Sequence, residues 1–305
     1  MSESRSGLSL TFFLYRLAGA VLPAIPTVLG YRLAEIGGAL IFALSPDVRR
    51  RVCANLSHVL AQEPDHPLVR VTARRMLGNL VKNYFDLFRL PRLTPAQSAQ
   101  FVEVQGWQHI ETSLSRGKGL IVVSAHLGNI EIVVQIFARH GVAVTIPVER
   151  LQPPRLFDYI CRLRSSHGLR LVPIDGPLLM LYRALRRGEV VGLAADRDIT
   201  ASGQVAHFFG APAQLPDGHV RLALRTGAPL LCAFSQRLAH NRFLAHILPP
   251  LELAQSGDPE ADVAAGVRQV LAAVEQAIAQ HPDQWYVTHA VWPSNHQPRR
   301  RSEHV

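Results

Sequence analysis

From residue 101 onward, short apolar runs and helically spaced segments take turns along the chain. "LIVVSA", "VAVTIPV", "LRLVPI" and "EVVGLAA" are brief, rich in β-branched residues and bounded by glycine or polar positions, the pattern of strands buried on both faces. "FVEVQG" adds a further short strand. Between the runs lie "WQHIETSLSRG", "NIEIVVQIFARHG", "PRLFDYICRLRSSHG" and "PLLMLYRALRRG", read as helices, each closing on a glycine that can terminate one. Beyond them come "GQVAHFFG", a helix at "PDGHVRLALRTG", the runs "PLLCAFSQRL" and "RFLAHILPPL", and a long helix over 260–280 before "HPDQWYVTHAVWP". Repeated β-α units predict an α/β fold with a largely parallel central sheet and helices on both faces.

The first part of the chain reads differently. Residues 8–31, "LSLTFFLYRLAGAVLPAIPTVLGY", are apolar but carry Arg16, Pro23 and Pro26, and a second run over 33–44 contains Glu35. A clean membrane span needs about 20 apolar residues without charge. The pair is expected to form helices lying in or shallowly entering a membrane surface; two core helices, or one true span, remain open. "SPDVRRRV" follows, with Arg49, Arg50 and Arg51 suited to anionic headgroups or to a solvated helix face. Residues 46–89 read as helical throughout, and "LPRLTPAQ" (90–97) as a linker. The expected organisation is an N-terminal, membrane-associating helical region over 1–95, an α/β core over 96–292 and a basic, disordered tail over 293–305.

Composition narrows the partners. The chain has 305 residues, 48% of them hydrophobic, enough for a sizeable core. A formal net charge of +9 favours an anionic partner, whether nucleic acid, phosphate-bearing substrate or membrane face. Three widely spaced cysteines (Cys53, Cys161, Cys232) argue against a disulfide framework or zinc cluster and suit a reducing compartment.

The candidate chemistry sits where "GLIVVSA" ends, at His126, with Glu131 five residues on. With 14 histidines and 23 acidic residues, about one such spacing arises by chance, and two occur: His126/Glu131 and His58/Glu63. Only the first lies at a strand-to-helix turn, at the strand's carboxyl end, where open α/β sheets hold ligands. On one continuous helix, five residues would turn the two side chains about 140° apart. They can meet only if His126 precedes the helix and Glu131 lies in its first turn, with Gly128 and Asn129 forming the bend. Glu131 would then accept from one ring nitrogen and leave the other as a base. A substrate hydroxyl would take the place of a serine nucleophile.

"HLGNIE" resembles the H-x4-D/E motif of glycerolipid and glycolipid acyltransferases. The resemblance extends in order through "IPVERL…LFDYICRLRSSHG" (146–168), "GLAADRDITASGQVAHFFGAPAQLPDGHVRLALRTGAPLL" (192–231) and "HPDQWYV" (281–287), covering roughly residues 8–292. These blocks look like the bacterial lipid A biosynthesis acyltransferase branch, and most like its phosphatidylinositol mannoside acyltransferases. The E-G-T-R block of glycerol-phosphate acyltransferases is missing. The resemblance implies transfer of a long acyl group from coenzyme A or acyl carrier protein, as co-substrate and without a further cofactor or metal, to a hydroxyl of a membrane glycolipid. It implies His126 as base and Glu131 as its orienting acid. Glu149 and Arg164 match polar positions around the pocket, with Arg164 steadying the oxyanion or the donor phosphates; a helix salt bridge is the alternative for Arg164. Asp196, Arg197 and Asp198 follow a strand and so belong near the same sheet edge; capping and ion pairing within the loop are the alternative. Phe208 and Phe209 line an acyl groove or pack beneath a loop. The implied location is the cytoplasmic face of the plasma membrane, peripheral or shallowly inserted.

Rival chemistries find less support. No G-x-S-x-G elbow frames a serine, so a serine hydrolase is excluded. "RGKGLIV" precedes its strand, the wrong order for a phosphate loop. No zinc-ligand spacing occurs. The non-enzymatic alternative is a catalytically inactive basic protein that binds a membrane surface or nucleic acid, although no nucleic-acid motif is present and aromatics are 7%.

Overall fold

The computed structural model describes residues 3–165, 168–176, 178–200 and 202–292; the expected basic tail lies outside the described residues. Five helices come first: α1 (Glu3–Val21), α2 (Thr27–Leu44), α3 (Pro46–Leu60), α4 (Pro67–Arg89) and the short α5 (Pro95–Gln100). The helical stretch expected over 46–89 is interrupted. Ala61 adopts a left-handed φ of 49°, its N–H and that of Gln62 close on the carbonyls of His58 and Ser57, and Pro67 starts α4 afresh.

The α/β part follows the expected alternation: β1 (Val102–Gln105), α6 (Trp107–Leu114), β2 (Leu120–Ser124), α7 (Ile130–Val133), α8 (Gln135–Arg139), β3 (Val144–Val148), α9 (Pro154–Arg164), β4 (Arg170–Pro173), α10 (Leu179–Arg186) and β5 (Val190–Ala194). A separate hairpin of β6 (Gln204–Phe208) and β7 (Ala211–Leu215) precedes α11 (Gly218–Thr226), β8 (Leu230–Arg237), β9 (Phe243–Ile247) and α12 (Pro259–Gln280). Seven strands form the main sheet in the order β1-β9-β8-β2-β5-β3-β4, parallel except for β8 against β9. The helix expected over 130–138 breaks at Val134, where the Gln135 side-chain amide takes the Glu131 carbonyl.

The central strand β2 shows why the sheet is two-sided. Ile121 and Val123 face one core with Val52, Leu56 and Met76 of α3 and α4 and Val267 and Val270 of α12. Leu120 and Val122 face the other, with Ile110 of α6 and Phe137 of α8. Successive strand side chains point to opposite faces, so a run buried throughout requires cover on both.

Helix α2 lies along α4 through its small residues. A Cβ on Gly38 would fall 2.3 Å from the Gly78 nitrogen, and one on Gly30 would strike the Phe85 ring. The opposite face is exposed and apolar: Leu29, Leu33, Ile36, Leu40 and Leu44 at helical spacing, continued on α1 by Leu10, Phe13, Leu14, Leu17 and Val21. Among the described residues, α2 is the helix long and apolar enough to cross a membrane by length and composition, and 17% of it is buried. Arg49 caps the α2 carbonyls of Phe42 and Ala43, Arg50 pairs with Asp47, and Arg51 reaches the Thr288 carbonyl.

Candidate active site

The site grows from the register of two neighbouring parallel strands. Ser124 at the end of β2 lies opposite Ala194 at the end of β5, and the Ala195 N–H donates to the Ser124 carbonyl. His126 and Asp196 each stand two residues beyond their strand, so the register delivers them side by side. His126 Nδ1 lies 2.9 Å from Asp196 Oδ1. Asp196 Oδ2 accepts from the His126 backbone N–H at 2.8 Å and from the Trp285 indole N–H at 2.8 Å. The carboxylate is fully buried, whereas the imidazole keeps 27% exposure, and no hydrogen bond occupies Nε2 among the described residues.

Burial disfavours the imidazolium, but the charge and hydrogen bonds of Asp196 outweigh it and hold His126 above the ordinary histidine range, against the opposing Arg197 and Arg164. Burial likewise works against the Asp196 carboxylate, and His126 and Trp285 bring it below the usual carboxylate range. A buried acceptor on Nδ1 fixes the neutral ring with its proton there and its lone pair on Nε2.

The structure therefore corrects the expected partner of His126. Glu131 does lie in the first turn of its helix, but its carboxylate engages Arg164 Nη2 at 2.5 Å. With the ring's Nδ1 held by Asp196, Glu131 meets the guanidinium that α9 brings in instead. Among the described residues, Arg164 Nε is buried without a hydrogen-bond partner. Burial pushes the neighbouring Tyr286 phenol up, with Glu131 adding to the effect, and the His126 ring meets Tyr286 edge-on at 5.7 Å between centroids.

Arg197 pairs with Glu149 at 3.0 Å and approaches His289. Glu149, Arg197, Asp198, Gln214 and His289 line a recess beside the dyad. The Asp198 carboxylate is committed to its own loop, accepting from Thr200 and from the Gly203 N–H. Of the two readings of Phe208, packing holds and the groove does not: it is fully buried, stacked on Trp292 at 5.5 Å, because the hairpin turns it into the core. Phe209, at φ 46°, packs partly buried against the same cluster, so the pair forms the floor of the hairpin and not the wall of an open groove. His58, of the second H-x4-E match, stacks on Trp292 in the same cluster.

The loop carrying His126 is fixed along its backbone. Tyr286 N–H donates to the His126 carbonyl, Gly128 N–H to the Gln284 carbonyl, and Asn129 N–H to Ser235 Oγ. Gly128 sits at φ 66°, where a Cβ would fall 2.2 Å from the Ser235 carbonyl oxygen, so only glycine fits this bend. Trp285 and Tyr286 carry no sequence signal that marks them as site residues. The signal for Asp196 was present: "LIVVSAH" and "VVGLAAD" are matched apolar runs, each ending in a polar residue one position past an alanine.

The thiols offer no activated nucleophile. Burial raises Cys53 and Cys161 and pushes Cys232 up to about 12.

Comparison with known proteins places the chain in a family. The profile of the family described as bacterial lipid A biosynthesis acyltransferase matches residues 3–294. A phosphatidylinositol mannoside acyltransferase of Mycobacterium tuberculosis (strain CDC 1551 / Oshkosh) is 31% identical over 262 residues, 82% of this chain and 78% of that protein. One from Mycolicibacterium smegmatis (strain ATCC 700084 / mc(2)155) is 29% identical over 269 residues, 84% of this chain and 83% of its own. With a match running through nearly every described residue, the chain belongs to the bacterial lipid A biosynthesis acyltransferase family and is an acyltransferase.

Proposed function

We propose that the protein moves a long fatty acyl group from a thioester, acyl-CoA or acyl carrier protein, to a hydroxyl of a membrane glycolipid of the phosphatidylinositol mannoside or lipid A type. The observation that carries this reading is the buried Asp196 on His126 Nδ1, which leaves Nε2 as a base. The acceptor hydroxyl oxygen attacks the thioester carbonyl while Nε2 takes its proton. Asp196 stabilises the imidazolium, and the tetrahedral intermediate collapses with loss of the thiolate, which recovers the proton from His126. The products are an ester and a free thiol. Arg164, paired with Glu131 and within electrostatic reach of His126, lends positive charge to the region where the oxyanion develops. The recess of Glu149, Arg197 and His289 offers hydrogen bonds for the acceptor's polar head.

The exposed apolar face of α1 and α2 suits peripheral or shallow seating in the cytoplasmic leaflet, where acyl thioesters are made. Transfer is direct, in a ternary complex, since burial raises all three thiols and no G-x-S-x-G elbow frames a serine. Intact-protein mass spectrometry after mixing with acyl-CoA alone tests this: no acyl adduct accumulates, and slow hydrolysis depends on His126. A stoichiometric adduct formed fast enough to sustain turnover would replace the mechanism with a two-step one. Mass spectrometry of the host's glycolipids with and without the gene identifies the acceptor; an unchanged glycolipid profile would overturn the substrate class.

A further inference from the structure

A buried polar network joins the apolar helix α2 to the loop that carries His126. At its centre, Arg237, the last residue of β8, donates to Asp86 Oδ2 at 2.8 Å and to Asn83 Oδ1 at 2.7 Å, both on α4, and to the Tyr31 oxygen of α2 at 2.7 Å. The Arg237 and Asp86 side chains are 8% and 7% exposed. Tyr31 in turn donates to Asp86 Oδ1 at 2.8 Å. The network continues into the loop without a break: Asn129 Nδ2 donates to Asp86 Oδ2 at 2.8 Å, and Asn83 Nδ2 to the Gly128 carbonyl at 2.6 Å. Gln284, whose carbonyl holds Gly128 N–H, exchanges two hydrogen bonds with the Arg237 backbone.

A buried ion pair is a poor way to gain stability, since desolvation offsets most of the attraction and an apolar pair of similar volume serves as well. What this pair supplies that an apolar one would not is direction: four donors and acceptors aimed at Tyr31, Asn83 and Asn129. We infer that Asp86 and Arg237 are positioning residues, which hold the Gly128–Asn129 bend and through it the His126 ring on Asp196, and that Tyr31 extends this hold to the seating of α2. The inference rests on the proposed role of His126 as base. Lipid contact along α2 then bears on the geometry of the base, because the outward apolar face and the Tyr31 hydroxyl belong to one helix.

The test separates positioning from packing. The full-length double variant Asp86→Leu/Arg237→Met removes both charges at similar volume. Its melting temperature is expected to fall, since Tyr31, Asn83 and Asn129 lose buried partners, while its circular dichroism stays that of the folded wild type and kcat falls at least about tenfold at unchanged donor KM, as displacement of a reacting group by a fraction of an ångström requires. The pH midpoint of diethyl pyrocarbonate modification at His126, located by peptide mass spectrometry, is expected to fall as the ring loosens from Asp196; this readout needs no turnover. Wild-type kcat and a wild-type midpoint in the folded double variant would overturn the inference. Should the double variant fail to fold, Tyr31→Phe decides, since it deletes one oxygen and keeps the ring. A lowered kcat and a displaced midpoint support the coupling, and wild-type values for both overturn it. If the wild-type enzyme itself transfers no acyl group, the proposed function fails, and the modification midpoint still decides the positioning claim.

Discussion

Replacing Asp196 by asparagine tests the dyad at the level of single protons. Two donors, His126 N–H and Trp285 Nε1–H, converge on Asp196 Oδ2 at 2.8 Å each, and both need an acceptor. The asparagine carbonyl must therefore take the Oδ2 position, which turns its NH2 toward His126 Nδ1. Nδ1 then becomes the acceptor, the ring proton moves to Nε2, and the base has no lone pair for the substrate hydroxyl. In a serine-protease triad the equivalent tautomer reversal costs about 10⁴ in kcat, and a loss of roughly 10³–10⁴ is expected here. The fold should persist, because all three contacts to residue 196 survive with one reversed. The pH profile carries a second signature. The raised His126 places the acid limb above the ordinary histidine value, with activity increasing as the ring loses its proton. With the carboxylate gone, burial dominates and the limb moves to lower pH. The assay is thiol release from acyl-CoA with glycolipid vesicles between pH 5 and 9. A loss under about tenfold, with the acid limb unmoved, would refute the tautomer argument.

Further expectations follow from other parts of the molecule. Glu131→Gln leaves Arg164 unpaired while His126 keeps Asp196, so activity should fall by about tenfold, far less than for Asp196→Asn, in steady-state kinetics. Phe208→Ala should cost about 3–5 kcal/mol in urea unfolding, as a fully buried aromatic does, without altering preference among donor chain lengths. Gly38→Leu places a branched side chain against Gly78 and should lower both the melting temperature and the sedimentation of the protein with vesicles. His219 is 1% exposed and held at about 4 by burial. The unfolded chain takes up that proton below the ordinary value of 6.5, so the stability it contributes is complete above pH 6.5 and lost as pH falls toward 4. The loss is at most about 3 kcal/mol, and His219→Leu should flatten the urea midpoint across that window.

The order of elements was legible because strands buried on both faces must be continuous apolar runs, and each such run from "LIVVSA" to "EVVGLAA" became a strand of the parallel sheet. Less legible was the second sheet. "APAQL" carries a proline and has no alternation strong enough to mark β7, which forms only by pairing with β6. The His126 loop was visible as a glycine-containing bend after a strand. Asp196 was legible as a polar residue at the end of a matching strand, but its pairing with His126 was not, because it lies 70 residues away and meets the ring through strand register, which only the assembled sheet supplies. Glu131 was near in sequence, and proximity along the chain is a weak guide where a turn intervenes. Asp86 and Arg237 were invisible for a related reason. Buried polar residues on a helix and a strand look like ordinary surface positions until tertiary packing closes over them.

The central claim is that His126, held by Asp196, lets a glycolipid hydroxyl take the acyl group directly. It is tested most directly by mixing purified protein, radiolabelled acyl-CoA and vesicles containing a phosphatidylinositol mannoside, and measuring free thiol and acylated lipid together. The wild-type enzyme is predicted to form both in equal amounts. His126→Ala, with its fold confirmed by circular dichroism, is predicted to form neither above background. Acylated lipid produced by His126→Ala at a rate near that of the wild type would contradict the account.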